Sequence, residues 1–413
     1  MRLFLQRVRG TALPMTLTVA LLSMIGPFTI DTYLPAFAAI EAEYDVSRAV
    51  LSQSIAFYLA AFALSTLFWG PLSDHYGRLP IIIGSLIIYM IASVVCASAP
   101  TIGLFQLGRL LQGVAAGGGL VAGRAMIRDA YSPAEAQRTL SHIMLLFAVA
   151  PAVAPILGGW LNQQFSWQAI FWFLLAYGSV TLLLCSLFLR ETLALDQRQS
   201  LQLRRVLATY RTTFTHRRFV AIILSIACAF SGLFLFIVGS PTLLVDILGL
   251  SSRDFALQFV PMVGGLMAGS LLSGALARRQ SALQTARQAL LLMIIALVSN
   301  LLQGWLLPLS LLSLVIPLVI YAAGVALALP AFTLLAFDCL PANRGVAAAL
   351  QGSTQTVMAA LTAALLVPLL GASFPAFLLA QAGLLLLALL FWLLAGERSA
   401  IKPADLTVQR VGQ

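Results

Sequence analysis

Long apolar stretches follow one another along almost the whole chain, and they restrict the fold more than any other feature. A helix that crosses a lipid bilayer needs about 20 mostly apolar residues. Only 9% of the residues are charged, whereas soluble domains contain about 25%. The sequence therefore predicts an all-α membrane protein with twelve transmembrane helices. Charged or turn-rich breaks place them at residues 11–37, 47–69, 80–98, 102–126, 138–162, 168–189, 219–246, 255–277, 288–306, 308–337, 346–370 and 373–395.

One long polar segment, residues 190–218, lies between the sixth and seventh stretches and is rich in arginine. We predict a cytoplasmic connecting loop there. Internal duplication is common among multi-span membrane proteins. The pattern therefore predicts two six-helix halves, 1–189 and 219–413, the second ending in a short cytoplasmic tail.

Basic residues outside the apolar stretches are distributed unequally between the two sides of the predicted membrane. The loops on one side carry only Arg48 and Arg253. This asymmetry follows the positive-inside rule and predicts that both termini lie in the cytoplasm. It also accounts for the net charge of +10 without a nucleic-acid partner. The basic residues of the predicted cytoplasmic side are Arg2, Arg7, Arg9, Arg78, Arg128, Arg138, those of 190–218, Arg278, Arg279, Arg287, Arg344 and those of the tail.

Asp31 and Arg109 lie inside apolar stretches, where a charge costs about 2.5–3.5 kcal/mol even on the lenient insertion scale. Asp31 comes six residues before Phe37, at the outer end of the first stretch, and Arg109 comes seven residues into the fourth. A rise of 1.5 Å per residue puts both at a depth of roughly 9 Å from one face. We expect the two to pair as a proton-coupling site, because arginine favours the charged carboxylate and burial favours the neutral acid. The alternative is a static pair that joins two helices.

The fifth stretch combines two prolines with two adjacent glycines. Pro151 and Pro155 each remove a backbone donor and bend a helix against the residue four positions earlier. Gly158 and Gly159 follow on the same stretch. We expect a helix of fixed, non-ideal shape there.

Aromatic and amide residues within the apolar stretches are candidates to line a central cavity for small amphipathic molecules. They are Tyr33, Tyr58, Gln112, Phe230, Phe234, Asn300, Tyr321, Gln351 and Gln355. The four cysteines lie far apart without metal-ligand spacing, and the sequence contains no cluster of catalytic residues. We therefore expect neither an enzyme nor a cofactor or metal. The expected partners are the lipid bilayer, a small-molecule substrate and protons, and we expect the protein to be a monomer.

The loop after the second stretch reads GPLSDHYGRLP at residues 70–80. It resembles the signature of the major facilitator superfamily, G-x-L-x-D-x-x-G-R, through Gly70, Leu72, Asp74, Gly77 and Arg78. The resemblance implies the fold of that family, with two six-helix halves, and a conformational gating role for this loop.

The fourth stretch resembles a second element of the family, R-x-x-Q-G, through Arg109, Gln112 and Gly113. This resemblance implies that Arg109 takes part in proton transfer. The motif continues to Asp129, which we expect to be the partner of Arg78.

The fifth stretch resembles the G-P-x-x-G-G motif associated with drug:proton antiporters. Pro155, Gly158 and Gly159 match, while Ala154 replaces the usual glycine. The segments IDTYLPAF at 30–37, WQAIF at 167–171 and RETL at 190–193 are similar to the bicyclomycin and chloramphenicol resistance (Bcr/CflA) group.

The resemblance implies a proton-driven exporter of small amphipathic molecules or drugs, working by alternating access in the bacterial inner membrane. A proton-coupled importer or metabolite exchanger remains an alternative, because both directions of transport use this fold. A membrane-embedded enzyme or receptor is a further alternative that no motif supports.

Overall fold

Twelve helices in the described part of the chain are long and apolar enough to cross a membrane, so the predicted all-α fold is confirmed. The computed structural model describes residues 12–198, 201, 203–277, 279–306, 310–341 and 344–396. The first six spanning helices are α1 (Pro14–Tyr44), α2 (Arg48–Tyr76), α3 (Arg78–Ala97), α4 (Ile102–Ala130), α5 (Glu135–Gln164) and α6 (Gln168–Phe188). The second six are α7 (Arg217–Ile247), α8 (Ala256–Leu276), α9 (Ala282–Gly304), α10 (Leu311–Cys339), α11 (Arg344–Leu370) and α12 (Phe374–Ala395).

Successive helices run in opposite directions, which gives the bundle two faces. We call the side at which α1 begins and α12 ends the terminal face, and the other side the distal face. The first six helices meet the second six partly through α2 and α11, where the Ser353 hydroxyl donates to the carbonyl of Ala63 at 3.0 Å.

The connection between α6 and α7 differs from the predicted loop, because it contains the helix Leu203–Phe214. Apolar residues recur at positions 203, 206, 207, 210 and 214, which is the spacing of one helix face. The Tyr210 hydroxyl donates to the carbonyl of Leu67 on α2 at 3.0 Å. The connecting helix is therefore attached to the terminal end of α2.

The first spanning helix is broken partway through the membrane. Its α-helical part ends at Asp31, a 3-10 turn follows at Leu34–Ala36, and α-helix resumes at Phe37–Tyr44. Pro35 explains the break, because it cannot donate to the carbonyl four residues earlier, that of Asp31, and its ring clashes with that carbonyl. The span therefore extends beyond its predicted end at residue 37. We call residues 31–36 the α1 break.

Glycines let several helices approach until one backbone contacts another. A methyl group added to Gly113 on α4 would lie 2.1 Å from the carbonyl oxygen of Tyr58 on α2. At Gly265 and Gly269 of α8 it would lie 2.3 and 2.1 Å from backbone oxygens of α10. Lipid gives apolar helices little reason to associate, so close packing of this kind supplies the attraction between them.

Two adjacent glycines of α8 provide a matched test of this packing. We expect Gly265→Ala to lower the free energy of unfolding by about 1–3 kcal/mol, because the new methyl overpacks the contact with α10. A methyl at Gly264 meets nothing within 4 Å, so Gly264→Ala should be neutral or stabilise by up to about 1 kcal/mol through helix propensity. Thermal unfolding of the purified variants measures the difference. Equal melting temperatures would contradict the close approach of α8 and α10.

Candidate transport cavity

A cavity of about 1370 Å³ lies between the first six and the last six helices. Its walls come from α1, α2, α4 and α5 on one side, and from α7, α8, α10 and α11 on the other. Asp74, Arg128 and Gly345, at the terminal ends of their helices, line it, and its lining reaches inward to Asp31 and Tyr58. The cavity therefore opens at the terminal face and ends near the α1 break.

The distal face is held closed by a cluster of ionic and polar contacts around Arg48. Its guanidinium, at the start of α2, bonds the Glu41 carboxylate of α1. It also bonds Asp246 at 2.7 Å and the Thr242 hydroxyl at 3.1 Å, both on α7. Arg48 thus joins the first six helices to the second six. We call Glu41, Arg48, Thr242 and Asp246 the distal lock.

A second distal contact joins α5 to the loop before α8. The Gln163 amide donates to the Ser252 hydroxyl at 3.2 Å, and Arg253 donates to the Gln163 oxygen. A methyl group on Gly159 would lie 2.3 Å from the carbonyl oxygen of Ser252. Gly159 therefore permits direct contact between the two sets of helices at this face.

Asp31 lies on the cavity wall with 6% of its surface exposed. It does not form the ion pair with Arg109 that the sequence led us to expect: within the described residues no cation lies within 4 Å of its carboxylate. Arg109 instead contacts neighbours of Asp31 on α1, through the backbone carbonyl of Thr29 and the ring of Tyr33.

Arg109 is fully buried behind the wall of the cavity. It donates to the carbonyl of Thr29 at 3.1 Å and to the side-chain oxygen of Gln112 at 2.8 Å. Its guanidinium carbon lies 4.7 Å from the centre of the Tyr33 ring and 5.0 Å from that of Tyr58. These ring faces stabilise the buried cation electrostatically.

Tyr58 belongs both to the cavity lining and to the surroundings of the buried arginine. Its ring packs against Arg109, and its side chain lines the cavity, as Asp31 does.

One glycine of the α5 motif, Gly158, packs against the α1 break. A methyl group on Gly158 would lie 1.8 Å from the carbonyl oxygen of Thr32, the residue that follows Asp31. Pro151 lines the cavity, and Pro155 lies within the same helix. The glycine of the motif thus supports the non-helical backbone that presents Asp31.

The predicted gating loop is helical except at Gly77, because α2 continues to Tyr76 and α3 begins at Arg78. This junction carries a compact ionic cluster at the terminal face. Arg78 donates to Asp129 of α4 at 2.8 Å, as expected, and also to Asp74 and the Ser73 hydroxyl. Gly77 has φ = 106°, a conformation that other residues rarely adopt. Gly70 lines the cavity one turn before Asp74.

Glu191 completes this cluster, a role that the sequence did not predict. Its carboxylate accepts the backbone N–H groups of Arg78 and Leu79 at 3.0 and 3.1 Å. These are unsatisfied donors at the start of α3, where an anion is favourable. The free N–H groups that follow Gly77 signal a need for such an acceptor, but only the fold identifies which residue provides it.

The predicted cavity residues divide into two groups. Tyr58, Phe230, Phe234 and Gln355 line the cavity, together with Phe62, which was not among the predicted residues. The structure differs from the prediction for Tyr33, Gln112, Asn300, Tyr321 and Gln351, which are buried but not part of the lining.

Polar partners inside the bundle explain where the second group lies. The Tyr321 hydroxyl donates to the carbonyl of Ala229 at 3.0 Å, and Asn300 donates to Gln381 at 3.2 Å. Gln351 likewise donates to the Thr333 hydroxyl at 2.8 Å. Buried polar groups need such partners, and here neighbouring helices supply them.

Comparison with known proteins identifies the family. The sequence matches the profile of the Major Facilitator Superfamily over residues 19–363. The chain belongs to the major facilitator superfamily. This match confirms the resemblance of residues 70–80 to the superfamily signature. The chain is therefore a multi-pass membrane protein of a transporter family.

The relatives of this superfamily member include drug-resistance proteins of bacteria. The bicyclomycin resistance protein homolog of Haemophilus influenzae is 29% identical over 257 residues, which are 62% of this chain and 65% of that protein. The alignment thus spans just under two thirds of that relative. Multidrug resistance protein D of Escherichia coli K12 is 26% identical over 379 residues, or 91% of this chain and 94% of that protein.

Solved structures of the superfamily share the fold. The D-xylose–proton symporter superposes with a TM-score of 0.70 at 14% identity, covering 92% of this chain and 97% of that one. A bacterial homolog of the human lysosomal transporter Spinster, inward-facing and occupied, gives 0.69 at 16% identity, covering 92% and 94%.

The distal lock predicts how this face opens. We expect Asp246→Asn to raise the population with an open distal face about two- to fivefold, because a partly exposed ion pair is worth up to about 1 kcal/mol. Double electron–electron resonance measures the distance between spin labels at Ala42 of α1 and Leu257 of α8. The open population appears as longer distances between the two labels.

Asp45→Asn is the matched control for this measurement. Asp45 also lies at the distal face, between α1 and α2, and forms no ion pair among the described residues. An unchanged distance distribution in Asp246→Asn, or the same shift in both variants, would show that the lock does not hold the face closed.

Proposed function

We propose that this chain is a proton-driven exporter of small amphipathic molecules. The observation that carries the proposal is Asp31, an acid without an ion-pair partner among the described residues, on the inner wall of a cavity between two sets of six helices. An ionisable residue inside a membrane span marks a proton or substrate pathway by default. The drug-resistance names of the relatives support export as the direction.

We further propose that the terminal face is cytoplasmic, in the inner membrane of a bacterium. Among the described residues, arginines at the distal face are Arg48 and Arg253, whereas the other helix ends and connections that carry arginine lie at the terminal face. The positive-inside rule supports this orientation. The cavity then opens to the cytoplasm, where cargo enters.

The proposed cycle alternates between two states, one closed at the distal face and the other closed at the terminal face. With the terminal side open, cargo enters the cavity and Asp31 releases its proton to the cytoplasm. The distal lock then opens while the terminal side closes, cargo leaves, and Asp31 takes up a proton from outside. Neutralising the acid removes the cost of a charge in a closing, water-poor cavity, so protonation favours the return to the cytoplasm-facing state.

The proton site is tested with Asp31→Asn, which keeps the size of the side chain but cannot exchange a proton. We expect uphill transport into everted vesicles to fall by about tenfold or more, since coupling needs the titrating group. Counterflow of cargo down its own gradient should persist. A resistance panel in a drug-sensitive bacterium first identifies a transported compound.

Asp254→Asn serves as the control, because it removes a carboxylate outside the cavity. Uphill transport by Asp31→Asn at the wild-type rate would rule out Asp31 as the coupling group. Acid-driven movement in the opposite direction would favour the importer or exchanger instead, and protection against no compound would remove the drug-export assignment.

The ionic cluster of Arg78, Asp74 and Asp129 leads to a separate prediction about the rate of transport. We expect Arg78→Ala to slow turnover about tenfold, equivalent to ~1.4 kcal/mol in the barrier, with a cargo Kd close to that of wild type. The reason is that Arg78 joins the ends of α2 and α4 at the face that must close.

Vesicle transport rates and calorimetric binding separate the two quantities. Arg138→Ala is the control, since Arg138 is an exposed arginine of α5 at the same face. Normal turnover in Arg78→Ala would remove the gating role, and a large loss of binding would reassign Arg78 to the cargo site.

A further inference from the structure

Two arginines on α4 belong to the cavity wall near its opening. Arg124 and Arg128 are one helical turn apart, and both line the cavity. Arg124 precedes the end of α4 at Ala130 by six residues, or about 9 Å at 1.5 Å per residue. The Arg124 side chain is exposed to the cavity, beside the space that cargo would enter.

This pair of cations has no acidic partner in the described part of the chain. The Arg124 guanidinium donates one weak hydrogen bond, to the sulfur of Met144 at 4.0 Å. Arg128 follows one helical turn later on the same helix, so the two positive charges repel each other. Like charges four residues apart destabilise a helix, so an anion between the two side chains would relieve an unfavourable arrangement.

The carboxylates nearest this end of the first six helices are already engaged. Asp74 and Asp129 bond Arg78. Glu191 accepts the N–H groups that begin α3, and Glu135 accepts from Ser132. None of these contacts involves either of the two arginines.

Asp31 is too far along the cavity to serve as the partner. Gly123, next to Arg124, packs on Val19 and Leu22 of α1, where a methyl group would lie 3.2 and 3.4 Å from their side chains. Asp31 lies nine residues beyond Leu22, about 13 Å at the rise of a helix. The cavity thus has a cationic outer part and an acid at its inner end.

Aromatic pairs from both sets of six helices line the space between. The rings of Tyr58 and Phe62 on α2 are stacked, with centres 6.3 Å apart. Those of Phe230 and Phe234 on α7 are stacked with centres 6.1 Å apart. All four side chains line the cavity. Their ring faces suit a flat, apolar group.

We propose that the cargo is an amphipathic organic anion, whose carboxylate or sulfonate binds Arg124 and Arg128 while its apolar ring packs between the two aromatic pairs. Guanidinium groups bind such anions through paired, charge-assisted hydrogen bonds. This inference rests on the proposed export function and specifies its cargo class. An anionic lipid headgroup offers the same chemistry at this face, so the experiment must separate the two sources.

The test compares three ligands that share one ring system: 1-naphthoate, neutral 1-naphthalenemethanol and cationic 1-naphthylmethylammonium. Binding to the full-length protein in phosphatidylcholine nanodiscs is measured by calorimetry, with empty nanodiscs as the reference. We expect wild type to bind the naphthoate most tightly. Arg124→Gln should weaken naphthoate binding about tenfold and leave the neutral alcohol unchanged.

Two further variants exclude a purely structural effect. Arg138→Gln, which removes an exposed arginine outside the cavity, should bind all three ligands as wild type does. Arg124→Lys should recover part of the naphthoate affinity, because it restores the charge without the planar fork. Equal naphthoate binding by Arg124→Gln and wild type, or preference of wild type for the ammonium ligand, would overturn the proposal.

A further experiment with an anionic lipid distinguishes a cargo anion from a lipid headgroup. If phosphatidylglycerol raises the melting temperature of wild type but not of Arg124→Gln, while naphthoate binding is insensitive to the substitution, the arginines form a lipid site and the cargo proposal is wrong. Retained binding of the neutral alcohol shows that the cavity is intact. Loss of anion preference alone then leaves the export function standing. Failure of every ligand to bind wild type would overturn the cargo proposal, while export is judged separately by the vesicle assay.

Discussion

Pro35 removes the hydrogen bond that would carry α1 past Asp31, and the arrangement of the cavity depends on that missing bond. Non-helical backbone is tolerated at membrane depth only where protein covers it or where it lines a cavity. Both conditions hold here. Gly158 lets α5 cover the carbonyl of Thr32, and Asp31 faces the cavity. The glycine motif of α5 and the acid of α1 are thus parts of one structure.

The buried arginine is stabilised by a different means from the ion pair that its depth suggested. Arg109 has two oxygen acceptors and lies against the rings of Tyr33 and Tyr58. Its positive charge is accommodated without neutralising Asp31. Asp31, which has no ion-pair partner among the described residues, is thereby available for the proton exchange proposed above. Separation of the two charges suits coupling better than a closed pair, which would have to break in every cycle.

The sequence predicts the number of spans, the signature loop and the Arg78–Asp129 contact, because these depend on local composition and a recognisable motif. It predicts how deep a residue lies in the membrane, but not towards which neighbouring helix or cavity its side chain points. Tyr33, Gln112 and Tyr321 lie at suitable depth yet point into the bundle. Glu191 and the distal lock were missed for a related reason: each joins segments far apart in sequence, so their partners follow only from the fold.

The charge of the cargo decides what drives the proposed exchange. An inward proton exchanged for an outward cation moves no net charge and responds only to the pH gradient. An inward proton exchanged for an outward monoanion moves two charges in the direction that an inside-negative potential favours, worth about 4.6 kcal/mol at 100 mV. If the two arginines, which have no acidic partner among the described residues, select an anion as proposed, export is coupled to the membrane potential as well as to acidity. The arginines then act on energetics as well as selection, because they determine which ion the potential can help to expel.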